Sequence, residues 1–160
     1  MEKYKVGVIG GTGMVGQRFV TLMENHPWFQ LTVIAASPRS AGKTYEEAVG
    51  SRWAMETPMP EEAKGILVKN AVDDVAEIAS QVDFVFSAVD MKKEEIRALE
   101  EAYAKHECPV VSNNSAHRWT PDVPMVVPEV NPEHLQVIEA QRQRLGTKRG
   151  FIAVKSNCSI

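Results

Sequence analysis

A chain of 160 residues with 44% hydrophobic and 24% charged residues has the size and composition of a single globular domain able to bury a core. A net charge of −3 offers no basic stripe for a phosphate backbone, and no run nears the about 20 apolar residues of a membrane span, so neither nucleic acid nor membrane is an expected partner. The N-terminal apolar stretch is too short for a signal sequence, and two cysteines fifty positions apart fit neither a disulfide framework nor a zinc site, so the expectation is a cytoplasmic protein with reduced thiols and no metal.

Residues 4 to 9, YKVGVI, form a β-rich run ending in glycines, and behind it Val15, Phe19, Leu22 and Met23 recur at the spacing of an amphipathic helix. The pattern predicts strand, glycine turn and helix, with those four residues facing the core. LTVIAA (31 to 36) is a second strand, SRWAMETPMPEEAKG (51 to 65) an aperiodic loop, and ILVK (66 to 69) a short strand. DFVFSAV (83 to 89) and CPVVSN (108 to 113) are two more. None alternates cleanly, as expected of parallel strands covered on both faces. Residues 91 to 106 form a crossover helix with Ile96, Leu99, Ala102 and Tyr103 on its inner face. Asn131, Pro132 and Glu133 start a helix capped by the Asn131 side chain, which runs to about Leu145 and stops at Gly146, and GFIAV (150 to 154) is the last strand. The alternation predicts an α/β fold, a Rossmann-type doubly wound and mostly parallel sheet.

Gly10, Gly13 and Gly16 have the spacing G-x-x-G-x-x-G between strand and helix, where backbone can approach a pyrophosphate and helix N–H groups meet the anion. Gly11 and Thr12 add flexibility and a hydroxyl. After the second strand an NAD site would carry an acid for the ribose 2′-hydroxyl. This chain has Ser37, Arg39, Ser40 and Lys43 there instead, which predicts NADP, the alternative being a solvated polar loop.

The stretch VVSNNSAHRWTPDVPMVVPEVN places Arg118 at a strand end, where a guanidinium suits a phosphate or carboxylate. Cys158 follows the last strand, and on the residues alone both a nucleophile and a structural thiol remain open. Cys108, before Pro109, is expected to be a small buried apolar residue. His26, His106 and His134 are expected at helix ends, facing solvent or capping. His117 beside Arg118 is either an anion ligand or structural, and Trp53 and Trp119 are expected as packing anchors.

Through GVIGGTGMVGQRF, SPRSAGKTY, FSAVD, VVSNNSAHRW, DVPMVVPEVNPEHL and SNCS, the chain resembles the aspartate-semialdehyde dehydrogenase family over essentially its whole length, in the branch found in archaea, fungi and some bacteria. The resemblance implies NADPH-dependent reductive dephosphorylation of L-aspartyl 4-phosphate to L-aspartate 4-semialdehyde through a cysteine thioester, on the route to lysine, methionine and threonine. It makes Cys158 the nucleophile, with Asn157 shaping the acyl pocket. Arg118 would bind the substrate phosphate, with Asn114 or Asn113 in the same pocket. Gly10, Thr12, Gly13, Met14 and Val15 match the dinucleotide loop, Ser37, Arg39 and Ser40 the 2′-phosphate contacts, and Ser87 and Ala88 the strand end beside the nicotinamide half. Two positions depart from the family pattern: Ile160 stands where Thr is usual, and Asn114 replaces a commoner small residue.

Chains of the family run to roughly twice this length, with the acid/base histidine and most of the subunit interface of a homo-oligomer in the second half. The expectation is therefore an NADP-binding domain over 1–155, with 156–160 opening a catalytic and dimerisation domain, and a 160-residue chain without appreciable turnover alone. A related acyl-phosphate or acyl-CoA reductase, acting on N-acetylglutamyl phosphate or malonyl-CoA, and a non-enzymatic nucleotide-binding module remain the alternatives.

Overall fold

In the computed structural model, which describes residues 2–159, the first run is strand β1 (Tyr4–Ile9), followed by helix α1 (Met14–Met23) and strand β2 (Phe29–Ala36). Next come α2 (Tyr45–Val49), a 3₁₀ turn at Gly50–Arg52, α3 (Glu61–Lys64), β3 (Lys69–Asn70) and α4 (Val75–Gln81). The chain continues through β4 (Phe84–Ser87), α5 (Lys93–Lys105) and β5 (Val110–Ser112). A 3₁₀ turn at Pro132–Val137 runs into α6 (Ile138–Leu145), and β6 (Ile152–Val154) follows. The departure at Ile160 lies outside the described residues.

The six strands form one sheet in the order β3-β2-β1-β4-β5-β6, with every neighbouring pair parallel. This is the doubly wound Rossmann arrangement, and its direction reverses between β1 and β4, where a crevice opens at the carboxyl ends of the strands. Alternation along β2 sends Val33 and Ala35 to one face with α4 and α5, and Ile34 and Ala36 to the other with α1 and α2. Both faces are covered, which is why the strands lack polar alternation.

Two glycines fix the turn between β1 and α1. Gly10 has φ +84°, and a Cβ there would fall on the Ala88 carbonyl at the end of β4. A Cβ on Gly16 would fall on the Gly10 carbonyl, so the helix seats directly on the turn. That seat rotates α1 away from the face its periodicity predicts. Gly16, Gln17, Val20 and Met23 are buried, whereas Val15 is 42% and Leu22 58% exposed. Gln17 faces inward because its Nε2 donates to the carbonyls of Thr12 and Arg52 and its Oε1 accepts from the Ala54 N–H. Phe19, half-buried, stacks on Phe86 of β4.

Other elements also differ from the pattern. The predicted strand over 66 to 69 reaches the sheet only at Lys69, because the backbone of Ile66 and Val68 pairs instead with residues 42 to 45. The expected loop over 51 to 65 contains the end of the first 3₁₀ turn and α3. Asn131 precedes its helix without capping it. Its Oδ1 accepts from the Val127 N–H and its Nδ2 donates to the Met125 carbonyl, tying down the preceding loop. On α5 the buried face is Ile96, Leu99, Glu100, Tyr103 and Ala104, so a carboxylate sits in the core and Ala102 at its edge. Gly146 closes α6 in the left-handed region, as predicted.

Candidate active site

A cleft of about 700 Å³ opens along the carboxyl ends of β1, β2, β3 and β4. Its floor is the glycine turn. Gly13 is the N-cap of α1, no side chain caps that helix, and its first turn carries no acid, so neither a capping side chain nor a first-turn carboxylate meets its first N–H groups. Unlike Gly10 and Gly16, Gly13 is not demanded by the fold. Its φ is −78°, and a Cβ would meet only the Gly10 carbonyl, at 3.9 Å. The space above it belongs to the cleft, and the uncapped helix end with that close backbone suits a pyrophosphate. The turn is held from behind by the buried Tyr45 hydroxyl, which donates to the Gly11 carbonyl at 2.7 Å. Burial pushes the Tyr45 phenol well above its ordinary pKa, so it stays a donor.

One wall of the cleft carries Ser37, Arg39, Ser40 and Lys43 from the loop after β2, with Arg39 and Lys43 exposed and Ser40 buried. The 3₁₀ turn adds a third cation. Arg52 lines the same wall, one guanidinium N–H donating to the Ala48 carbonyl at 2.6 Å. The opposite wall runs from Ala88 to Met91 and includes the acid Asp90. Met14, 69% exposed, and Val15 do not line the cleft with their side chains, which leaves their backbone N–H groups as their possible contribution.

Beyond β4 the strand ends are tied together by polar side chains. Ser87 is fully buried, and its hydroxyl accepts from Asn114 Nδ2 at 3.0 Å. The Asn114 amide also donates to Glu100 Oε2 at 3.1 Å, so this side chain is turned into the protein. The Asn113 N–H donates to the Ser87 carbonyl, and the Asn113 carbonyl accepts from Arg118 Nη2 at 3.1 Å. Arg118 Nε donates to the Lys155 carbonyl at 3.1 Å, which lays the guanidinium across the ends of β5 and β6. Its other donors make no hydrogen bond among the described residues and can meet an anion.

Cys158 is exposed, four residues past β6. Asn157 Oδ1 accepts from the N–H and the hydroxyl of Ser159, folding the chain around the cysteine. Cys108 is the buried apolar residue the sequence predicts, its thiol pushed up to about 12 by desolvation. His117 is structural. Its ring is buried, with Nδ1 3.0 Å from Thr120 Oγ1 and Nε2 3.3 Å from the Arg97 carbonyl. His26 Nδ1 accepts from the N–H groups of Trp28 and Phe29, His106 Nδ1 lies against the Ala102 carbonyl, and His134 Nδ1 accepts from the Met125 N–H. Trp53 packs edge-on against Tyr45 and donates to the Thr57 carbonyl, an anchor as expected, whereas Trp119 is 86% exposed and anchors nothing here. Among the described residues no three metal-ligating side chains converge, and no helix is long and apolar enough to cross a membrane.

The model of the family described as semialdehyde dehydrogenase, NAD binding domain, matches residues 5–138. The chain is 43% identical over 158 residues to an aspartate-semialdehyde dehydrogenase of Aspergillus fumigatus, covering 99% of this chain and 42% of that protein. It is 46% identical over 154 residues to one from Methanothermobacter thermautotrophicus, covering 96% of this chain and 42% of that protein. A crystal structure of aspartate-semialdehyde dehydrogenase with NADP from Candida albicans superposes with a TM-score of 0.83 at 39% identity, covering 99% of this chain and 44% of that one. The chain thus spans about 42% of the length of the curated relatives it matches.

Proposed function

Because the chain belongs to the semialdehyde dehydrogenase family, we propose that it is the nucleotide-binding part of an NADP-dependent aspartate-semialdehyde dehydrogenase. The observation that carries this reading is that the glycine-turn cleft and Arg118 lie along the carboxyl ends of one parallel sheet, the cleft at β1 to β4 and Arg118 at β5 and β6, just before Cys158. The names of the fungal and archaeal relatives support this substrate over those of related acyl-phosphate reductases, and the NADP of the Candida albicans structure supports the cofactor.

In this reading Gly10, Thr12 and Gly13 bring backbone against the pyrophosphate, and the first-turn N–H groups of Met14 and Val15 complete the anion site. Ser37, Arg39 and Ser40 donate to the 2′-phosphate, with Lys43 and Arg52 beside them. Ala88 borders the nicotinamide half, while Ser87 acts from below by holding Asn114. Cys158 attacks the carbonyl carbon of aspartyl phosphate, the carbon–oxygen bond to phosphate breaks, and phosphate departs with the electron pair against Arg118. Bound NADPH supplies the hydride that reduces the thioester. The carbon–sulfur bond then breaks, giving the aldehyde and restoring the Cys158 thiolate. Residues 1–155 form the nucleotide domain and 156–160 begin the catalytic one, in a cytoplasmic homo-oligomer. The exposed Trp119, close in sequence to Arg118, supports a protein contact on that side.

The test is turnover by the whole protein, assayed as NADPH oxidation with aspartyl phosphate. Cys158→Ser should abolish turnover and keep NADP binding, and Arg39→Ala should weaken NADP at least ~10-fold more than NAD, about 1.4 kcal/mol. Persistent turnover in the serine variant, or an unchanged preference in the alanine variant, would remove the corresponding assignment.

A further inference from the structure

The geometry points to Glu100 as the positioning residue for the phosphate-binding Arg118, acting through Ser112 and Asn114 at the end of β5. The inference rests on the functional reading above. Glu100 is fully buried on α5 and has no cationic partner among the described residues. Its Oε2 accepts from the Ser112 hydroxyl at 2.6 Å and from Asn114 Nδ2 at 3.1 Å, while its Oε1 is buried without a hydrogen-bond partner. A core built for stability alone is better served at this position by an apolar side chain, since a buried carboxylate with a spare acceptor is destabilising. What the carboxylate supplies is order in the loop after β5.

That loop is bound at each end by α5. Glu100 takes Ser112 and Asn114, and three residues earlier Arg97 Nε donates to the Ala116 carbonyl at 2.8 Å while its own carbonyl meets the His117 ring. Asn113, whose carbonyl receives Arg118, lies between the two residues held by Glu100, and Arg118 in turn reaches the Lys155 carbonyl three residues before Cys158. Asn114 also links the carboxylate to Ser87, and the Lys155 N–H donates to the Ser112 carbonyl, so one network joins the ends of β4, β5 and β6. Arg118 is therefore aimed by acceptors whose own positions depend on Glu100. Glu100 has no contact with substrate and acts only through that aim.

The experiment uses the whole enzyme running toward the acyl phosphate, with aspartate semialdehyde, NADP and inorganic phosphate giving aspartyl phosphate, NADPH and a proton. Glu100→Met keeps the side-chain length and removes both acceptors. It should raise KM for phosphate by ~10-fold, as expected when an anchoring group is displaced, and leave kcat and the NADP dissociation constant within about twofold. Glu100→Gln, whose carbonyl can still accept from Ser112 and Asn114, should restore the phosphate KM. If Glu100→Met does not fold, Ser112→Ala, which removes the shorter bond together with the acceptor of the Asn114 N–H and leaves the carboxylate, should move the phosphate KM in the same direction. Equal losses in phosphate KM, kcat and NADP affinity, or an unchanged phosphate KM beside an Arg118→Ala variant that raises it, overturn the positioning role alone. An Arg118→Ala variant with unchanged phosphate KM overturns the functional reading and the role of Glu100 together.

Discussion

Gly13 and Gly16 sit in one motif for different reasons. A methyl group on Gly16 would meet the Gly10 backbone, which cannot yield without moving the turn. Gly16→Ala should therefore destabilise the protein by about 1–3 kcal/mol or more, visible as a lower urea midpoint. Gly13 has ordinary dihedrals and room for a Cβ. Gly13→Ala should change stability by less than about 1 kcal/mol, the gain from restricting the unfolded chain being offset by alanine's poorer N-cap. Its nucleotide affinity should fall all the same, because the methyl would project into the cleft. Titration of NADP by fluorescence, beside a denaturation curve, separates the two residues. A Gly13→Ala protein of unaltered affinity would mean that the cleft does not hold a phosphate over this turn.

At the scale of elements, α2 supports the nucleotide cleft from behind. Its Tyr45 reaches the Gly11 carbonyl, and Tyr103 of α5 makes the same kind of bond to the Ala71 carbonyl on the cleft wall. Tyr45→Phe should cost about 1–3 kcal/mol, the penalty of a buried carbonyl left without its donor, and should loosen the glycine turn. Faster amide exchange at residues 10 to 13 would report it. The sequence made β1, the glycine turn, α5 and the parallel class of the sheet legible, because those rest on period and on glycine spacing. Helix α2 is only five residues long, too short for a period, although Thr44 and Glu47 form a capping box that marks its start. Helix α4 is seven residues with no side-chain cap, too short to show a period. Glu100 lies four residues after Ile96 and three before Tyr103, on the apolar stripe, and that spacing was the available sign of a buried acid. The rotation of α1 and the inward turn of Asn114 depend on contacts between distant segments, which no local pattern carries. Arg52 lies just after a helix too short to recognise.

For the whole molecule, acid resistance should depend on a surface carboxylate. Glu107 accepts hydrogen bonds from the backbone N–H groups of Gly150, Arg149 and Lys148, which lower its pKa from an ordinary 4.5 to about 2. The folded state thus holds this proton less tightly than the unfolded state does. Its stabilisation is complete above about pH 4.5 and is lost as pH falls through about 2. Asp122, held low chiefly by its hydrogen bonds from Arg144, adds in the same direction. Glu107→Gln should flatten the decline of the urea midpoint across that window. A slope equal to that of the parent would refute the assignment.

The strand order also has a consequence for synthesis of the chain. Strand β1 emerges first, yet one of its neighbours, β4, spans Phe84–Ser87 and follows all of β2 and β3. At about 5–20 residues per second, the interval lasts several seconds. During that time Val6 and Val8 stand in a strand with one unsatisfied edge, open to pairing with another nascent chain. One of the two central strands of the finished sheet is thus an exposed edge at birth, and its protection waits on the segment that carries Ser87.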